Sequence, residues 1–305
     1  MSAMSESQAV LGTDQESIWF GPFRYLIDAK VPNTSVENIY GSYFSHIYNQ
    51  MAGSTTDDII FYMDLAQRVG PHDGGSVLEL GCGTGRILLE LASSGADVCG
   101  VDNSRDMLRH FARAAKSRGV EDRVRLMVSP ITHVALDRAF SLVLIGGLTL
   151  SLFKSRDERF ALLKSAVSLV DDGGVLAFDY LASSAPSTST SSLIPLEVGG
   201  NKGFMLIASG RCSDSKSQLA NFLVETFDAA GNSTRHISHT LSFMLDCDEI
   251  AEDLASLGMT MVSSSLPTSR GPDTSEYARA TVAVKGRNDS VIRKLTDFYR
   301  TGERV

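Results

Sequence analysis

The chain has 305 residues, with 28 Lys+Arg against 36 Asp+Glu for a net charge of −8, and it is 43% hydrophobic and 21% charged. That apolar share excludes a wholly disordered chain, and the length suits one large α/β domain or a domain with a lid. A surplus of eight acids gives no long-range attraction toward phosphate backbones or anionic bilayers, so neither nucleic acid nor membrane is an expected partner.

Chemistry of the ends and of the thiols agrees with this. Residues 1–14 lack a basic segment followed by an apolar one, so they do not read as a signal peptide. The most apolar stretch, residues 139–153, is interrupted by Ser141, Gly146, Gly147, Thr149 and Ser151. It falls short of the roughly 20 residues that span a bilayer. Cys82, Cys99, Cys212 and Cys247 are scattered and form no C-x-x-C pair, as in reduced proteins of the cytoplasm. No metal site is expected.

In chain order, residues 1–16 read as a mobile N-terminus and 17–75 as a helical cap. Two amphipathic segments, 36–51 and 56–69, carry the cap; Ile39, Tyr40, Tyr43, Phe44, Ile47 and Tyr48 recur at helical spacing in the first. His72-Asp73-Gly74-Gly75 is a turn cluster that ends the second. Residues 76–181 alternate short apolar runs with helical patterns. Strands are predicted at 76–80, 97–102, 124–128, 140–145 and 175–180, with helices at 86–94, 105–118 and 156–170. Strands buried on both faces, alternating with helices, argue for a doubly wound, mainly parallel sheet.

The Ser/Thr-rich run 182–192 reads as a linker. Runs at 204–209, 219–227 and 236–245, joined by polar turns at 214–216 and 230–233, read as an antiparallel meander. The block 182–245 is therefore a linker and inserted lid. Residues 246–305 return to the core with a helix at 248–257, strands at 259–264 and 277–284, and a final helix. The last two strands complete a seven-stranded sheet as its antiparallel edge.

The most informative segment is Val77-Leu78-Glu79-Leu80-Gly81-Cys82-Gly83-Thr84-Gly85-Arg86. A buried strand ends in three alternating glycines and enters a helix, a turn that needs positive φ and lets a ligand approach the backbone. Dinucleotide enzymes use such a turn, usually with a further glycine where Arg86 stands. Glu79 argues for another ligand, since an anion is unfavourable beside a pyrophosphate and suits a cation. Asp102 ends the next strand, followed by Asn103 and Ser104, where a carboxylate can accept ribose hydroxyls. Asp102 as a helix cap is the alternative.

These residues resemble the class I S-adenosylmethionine-dependent methyltransferases. Glu79 to Gly85 matches their first motif, Asp102 is similar to their ribose-binding acid, and Asp106-Met107-Leu108 resembles the segment that packs on adenine. Residues 139–144 resemble their fourth-strand motif and 169–176 the turn into their fifth strand. The likeness covers residues 76–181; the flanks agree in layout alone. It implies a Rossmann-like α/β fold, S-adenosylmethionine as cofactor, and a cofactor set of Glu79, Gly81, Cys82, Gly83, Gly85, Asp102, Asn103, Met107, Ser129, Pro130, Ile131 and Gly146. Two positions depart from the family. Ser129-Pro130-Ile131 replaces a terminal Gly-Asp, leaving adenine to the Ile131 backbone, Ser129 or Thr132, and apolar walls such as Met107. Phe140-Ser141 replaces Phe-Asp.

The layout is similar to the branch that methylates amino groups of glycine, sugars and other small molecules. That implies tyrosines closing over the cofactor, with Tyr40 and Tyr43 as catalytic candidates; His239, in the expected lid, is a further catalytic candidate as a single general base. Tyr48, Thr149, Asp179, Tyr180 and His236 are candidates for the acceptor pocket. A tyrosine stripe at helical spacing is equally what a core face looks like. His236 and His239, three apart on a strand, face opposite ways and cannot share a metal. Arg105, Arg109, Arg113 and Lys116 form a stripe that suits either an acidic peptide or solvent. The expected activity is N-methylation of a small-molecule or peptide amine in specialised-metabolite biosynthesis, by a monomer or homodimer. O-methylation, nicotinamide chemistry and non-catalytic cofactor binding are the alternatives.

Overall fold

A computed structural model describes residues 18–52, 57–69, 76–184, 189–214, 216–267, 278–286 and 288–301. The tail 1–16, the turn 72–75, residues 185–188 of the expected linker and Ser215 lie outside the described residues. The chain divides into two compact units: residues 1–39 with 185–244, and residues 40–184 with 245–305.

The larger unit is built on a seven-stranded sheet. Its strands are β2 (Ser76–Leu80), β3 (Asp97–Asp102), β4 (Val124–Val128), β5 (Phe140–Ile145), β6 (Val170–Leu181), β11 (Met259–Pro267) and β12 (Ala278–Lys285), in the order β11-β12-β6-β5-β2-β3-β4. The five from β2 to β6 pair in parallel, while β12 is antiparallel to both β6 and β11. The expected α/β class and antiparallel edge are borne out.

Both sheet faces are buried, which explains the unbroken apolar runs. Leu78, Leu80, Val143, Ile145 and Phe178 face the helices α6 (Arg156–Ser168) and α7 (Cys247–Ser256). Val77, Leu142, Leu144 and Ala177 face α3 (Asp57–Val69), α4 (Arg86–Ser93), α5 (Arg105–Ser117) and α8 (Asp289–Thr301). Helix α6 starts at a capping box, with Ser155 accepting from the Glu158 N–H and Glu158 accepting from the Ser155 N–H. Two boundaries differ from expectation. Helix α6 stops at Ser168, and β6 begins at Val170 rather than at 175. The segment Asp171-Asp172-Gly173-Gly174 is a bulge inside the strand, because Phe140 pairs with Val170 and Leu142 with Val175.

The smaller unit is a five-stranded sheet in the order β1-β10-β9-β8-β7. Strands β7 (Thr190–Val198), β8 (Asn201–Arg211), β9 (Ser217–Phe227) and β10 (Ser233–Phe243) form the expected antiparallel meander, with one more strand than predicted. The added strand β7 begins inside the supposed linker. Its Thr190, Ser191 and Ser192 pair with Ser209, Ala208 and Ile207 through the backbone, so their polar side chains gave no apolar signal. Helix α1 (Gly21–Asp28) lays Phe23 against Leu223 and Ile237 of this sheet.

The expected helix 36–51 is corrected as well. Thr34–Val36 form β1, parallel to β10, and the Glu37 N–H donates to the Ile237 carbonyl at 2.9 Å. Helix α2 (Ser42–Ala52) starts only after Gly41. β-Branched Thr34 and Val36 favour a strand, and the glycine separates it from the helix. Among the described residues, no helix is long and apolar enough to cross a membrane.

Candidate active site

In the larger unit the C-terminal ends of β2, β3 and β5 open into a cavity of about 270 Å³. The first wall is the turn after β2. Gly81, Gly83 and Gly85 sit at φ 81°, 53° and 81°, in the left-handed region. The Gly81 N–H donates to the Val101 carbonyl at 2.7 Å, binding the turn to β3. The three glycines answer different demands. A Cβ on Gly81 would lie 2.8 Å from Thr149 Cγ2, and one on Gly85 would lie 2.4 Å from the Phe111 ring. A Cβ on Gly83 would meet nothing within 4 Å; it would project into open space at the cavity.

This contrast carries a prediction. Gly85→Ala should cost about 2–5 kcal/mol, from left-handed strain and from crowding Phe111. Gly83→Ala should cost only the strain, about 1–2 kcal/mol, yet weaken S-adenosylhomocysteine binding. Urea unfolding and calorimetry on the pair decide it: equal loss of stability would remove the distinction.

Asp102 faces the same turn. Its Oδ2 accepts the Gly83 N–H and its Oδ1 the Ser104 N–H, both at 2.8 Å. Burial raises its pKa, opposed by these N–H donors. Ser104, not Asp102, caps α5, accepting from the Met107 N–H at 3.2 Å. With the Asn103 N–H also turned toward it, three backbone donors hold the carboxylate, and its two oxygens keep acceptor capacity toward the cavity. Asp102→Ala should weaken S-adenosylhomocysteine binding about tenfold or more, the scale of one charge-assisted bond. Unchanged affinity in calorimetry would refute that role.

Glu79 lies beneath the cavity, only 3% exposed, and its Oε2 has no hydrogen-bond partner among the described residues. Burial pushes its carboxyl well above the usual range; Arg86 acts against this, and Asp179, Asp58 and Asp102 reinforce it. A buried carboxylate with an unmet oxygen is costly unless a cation or donor meets it. Arg86, where dinucleotide enzymes have a glycine, lines the cavity and forms a two-pronged ion pair with fully buried Asp58 of α3. Its Nη1 donates to Oδ1 at 2.8 Å. Burial also pushes the Cys82 thiol up, which keeps it protonated.

The remaining candidates divide. Tyr40 and Tyr48 line the cavity, their ring centroids 6.4 Å apart, and the Tyr40 carbonyl accepts the Ser104 hydroxyl at 2.8 Å. Asn103, Met107, Ile131, Gly146 and Thr149 line it too. Tyr43 is not among the lining residues and packs edge-on against Phe44. Ser129 and Pro130 stand outside the lining, and the Ser129 hydroxyl donates to the Pro130 carbonyl. Asp179 and Tyr180 point inward: both are fully buried, Asp179 accepting the Leu148 N–H and Tyr180 packing near Phe178.

His236 and His239 belong to the smaller unit. His236 bonds the Ser35 hydroxyl at 2.8 Å, and His239 packs edge-on against Trp19. In the basic stripe Arg109 pairs with Asp106, and all four cations are exposed, as on a solvated face. Among the described residues no group of three or more His, Cys, Asp or Glu could hold a metal. Thr84, Ile87, Gly147, Leu152 and Phe153 also line the cavity and were not foreseen; for the last three the apolar run 139–153 was the signal.

The glycine turn open at Gly83, the acid at Asp102 and the unmet oxygen of Glu79 together fit a nucleoside carrying a cation. Comparison with known proteins agrees. Residues 77–174 match the family model for a methyltransferase domain. Over 109 residues the chain is 33% identical to the cypemycin N-terminal methyltransferase of a Streptomyces species, covering 36% of this chain and 43% of that protein. The matched part thus spans less than half the length of this curated relative. The sugar N-methyltransferase KedS8 from Streptoalloteichus superposes with a TM-score of 0.66 at 17% identity, covering 84% of this chain and 98% of that one. The CcbJ methyltransferase from Streptomyces caelestis gives 0.64 at 21% identity, covering 82% and 99%. At these identities the two structures establish the fold. The chain thus carries, at residues 77–174, a match to a methyltransferase domain, within a fold shared with these two methyltransferases.

Proposed function

We propose that this protein transfers a methyl group from S-adenosylmethionine to an amine of a small molecule or peptide, in specialised-metabolite biosynthesis. One observation carries the cofactor half of the reading: a buried acid with an unmet oxygen, Glu79, under a cavity whose turn is open at Gly83. Bound there, the cofactor supplies an electrophilic methyl on a sulfonium. Asp102 would take the ribose hydroxyls, Met107 and Ile131 would wall the adenine, and Glu79 would face the cationic part.

The chain's own contribution is positioning and exclusion of water, which can supply roughly 7–11 kcal/mol in a well-oriented pair. An amine needs only to lose a proton before attack, whereas a hydroxyl needs a strong base aimed at it. The titratable side chains lining the cavity are Tyr40, Tyr48, Glu79, Cys82, Arg86 and Asp102. Glu79 and Asp102 are assigned to the cofactor, Arg86 pairs with Asp58, and burial keeps the Cys82 thiol protonated, which leaves Tyr40 and Tyr48 as the lining groups beside an acceptor. The names of the relatives, an N-terminal methyltransferase and a sugar N-methyltransferase, support the same acceptor chemistry.

Mass spectrometry of amine and hydroxyl acceptors incubated with methyl-labelled cofactor tests the proposal. Label on nitrogen is expected; label on oxygen alone would overturn the acceptor class. Calorimetry should show S-adenosylhomocysteine binding, and NADH binding in its place would overturn the cofactor.

A further inference from the structure

Strand β5 runs into the cavity wall through a turn that a leucine should resist. Leu148 sits at φ 58° at the head of a 3-10 turn, Thr149–Leu152. A residue with a side chain holds that conformation only when its surroundings impose it. Here a bond from β6 imposes it: the Leu148 N–H donates to Oδ1 of Asp179 at 2.8 Å, and Asp179 is fully buried. A second bond crosses the other way, from the Leu181 N–H to the Ser151 hydroxyl at 2.9 Å. Within the turn, Thr149 Oγ1 donates to the Gly146 carbonyl at 2.6 Å and the Ser151 N–H to the Leu148 carbonyl at 2.9 Å. The turn so fixed presses on the cofactor loop, with Thr149 against the position a Cβ on Gly81 would take. Gly146, Gly147, Thr149 and Leu152 all line the cavity.

We propose that Asp179 is a positioning residue: by holding Leu148 in the left-handed conformation it sets residues 146–152 against the glycine loop and so shapes the cofactor cavity. The inference rests on the methyltransferase reading. An electrostatic role is the competing account, since the charge of Asp179 opposes ionisation of Glu79 and favours the Arg86 cation. Asp179→Asn removes that charge but keeps an acceptor for the Leu148 N–H, so the two accounts differ in what they expect of it.

Three variants of the full chain test this: Asp179→Ala, Asp179→Asn, and Asp179→Ala combined with Leu148→Gly. Each is measured by thermal unfolding without ligand, by calorimetry with S-adenosylhomocysteine, and by label transfer. Asp179→Ala should weaken binding about tenfold or more, the scale of a bond to a charged acceptor. Adding Leu148→Gly should bring affinity back to within about threefold, because glycine adopts positive φ without a side-chain penalty. Asp179→Asn, whose amide oxygen still accepts the Leu148 N–H, should also stay within about threefold. The proposal falls if the double variant binds no better than Asp179→Ala, or if Asp179→Asn loses as much as Asp179→Ala. Should Asp179→Ala fail to fold, the asparagine variant decides against the wild type: affinity within about threefold supports the proposal, and a loss of about tenfold or more overturns it. A wild-type chain that neither binds S-adenosylhomocysteine nor transfers label would instead bring down the methyltransferase reading.

Discussion

Asp58→Ala is expected to cost the folded protein about 3–5 kcal/mol, the scale of stranding one member of a buried ion pair. Asp58 is fully buried on α3 and engages both terminal nitrogens of Arg86, the first residue of α4. Removing the carboxylate takes from a guanidinium only 15% exposed the acid that engages both its terminal nitrogens. Arg86→Met should cost a similar amount for the opposite reason. It leaves Asp58 facing Glu79 and Asp179, three buried acids whose compensating cation has gone. The double variant Asp58→Leu/Arg86→Met should cost less than the two single losses summed, since the pair is removed together, although Glu79 and Asp179 then lose the nearby cation. Urea unfolding of the four proteins completes the cycle. Losses that simply add would show the two side chains to be independent and end their reading as one buried ion pair between α3 and α4.

That pair also marks where the sequence stopped being legible. Local features were readable: β2 and β3 and the acid ending β3 follow from short apolar runs bounded by turn residues. The turn residues themselves were readable as glycine, but their reasons were not. Gly85 answers to Phe111 on the next helix but one, and Gly81 to Thr149 beyond β5, contacts that exist only once the sheet has formed. Arg86 stood out as an exception to the dinucleotide pattern, yet its partner lies 28 residues away across two elements. Asp179 was expected at the pocket because it ends a strand whose neighbours point there. In a strand buried on both faces, alternation cannot say which acid turns inward, and here it accepts a backbone N–H from the adjoining turn. The short strand β1 was hidden because three residues give no pattern, and β7 because its polar start, Thr190-Ser191-Ser192, merges with the Ser/Thr-rich run before it.

Glu79→Gln should weaken S-adenosylmethionine binding about tenfold to a hundredfold, the range for removing the charge from a charge-assisted bond. The same substitution should make the unliganded protein more resistant to urea near and above neutral pH. Both effects come from one buried carboxyl, which burial raises in the folded state well above the ordinary carboxylate range. Between the unfolded and folded pKa values the native state binds more protons than the unfolded chain. Stability contributed by this group is therefore greatest below the unfolded value and is lost as pH rises through the folded one. Ligand affinity runs the other way, because a cation is held by the ionised form and is released as pH falls through the same window. The wild-type protein should thus show opposite pH slopes in unfolding and in cofactor binding, and Glu79→Gln should flatten both. A glutamine variant that binds with wild-type affinity and an unchanged pH profile would remove Glu79 from the cofactor site. The opposed slopes give the acid its physical logic: it is held at a cost to the empty fold, and only a cationic ligand repays it.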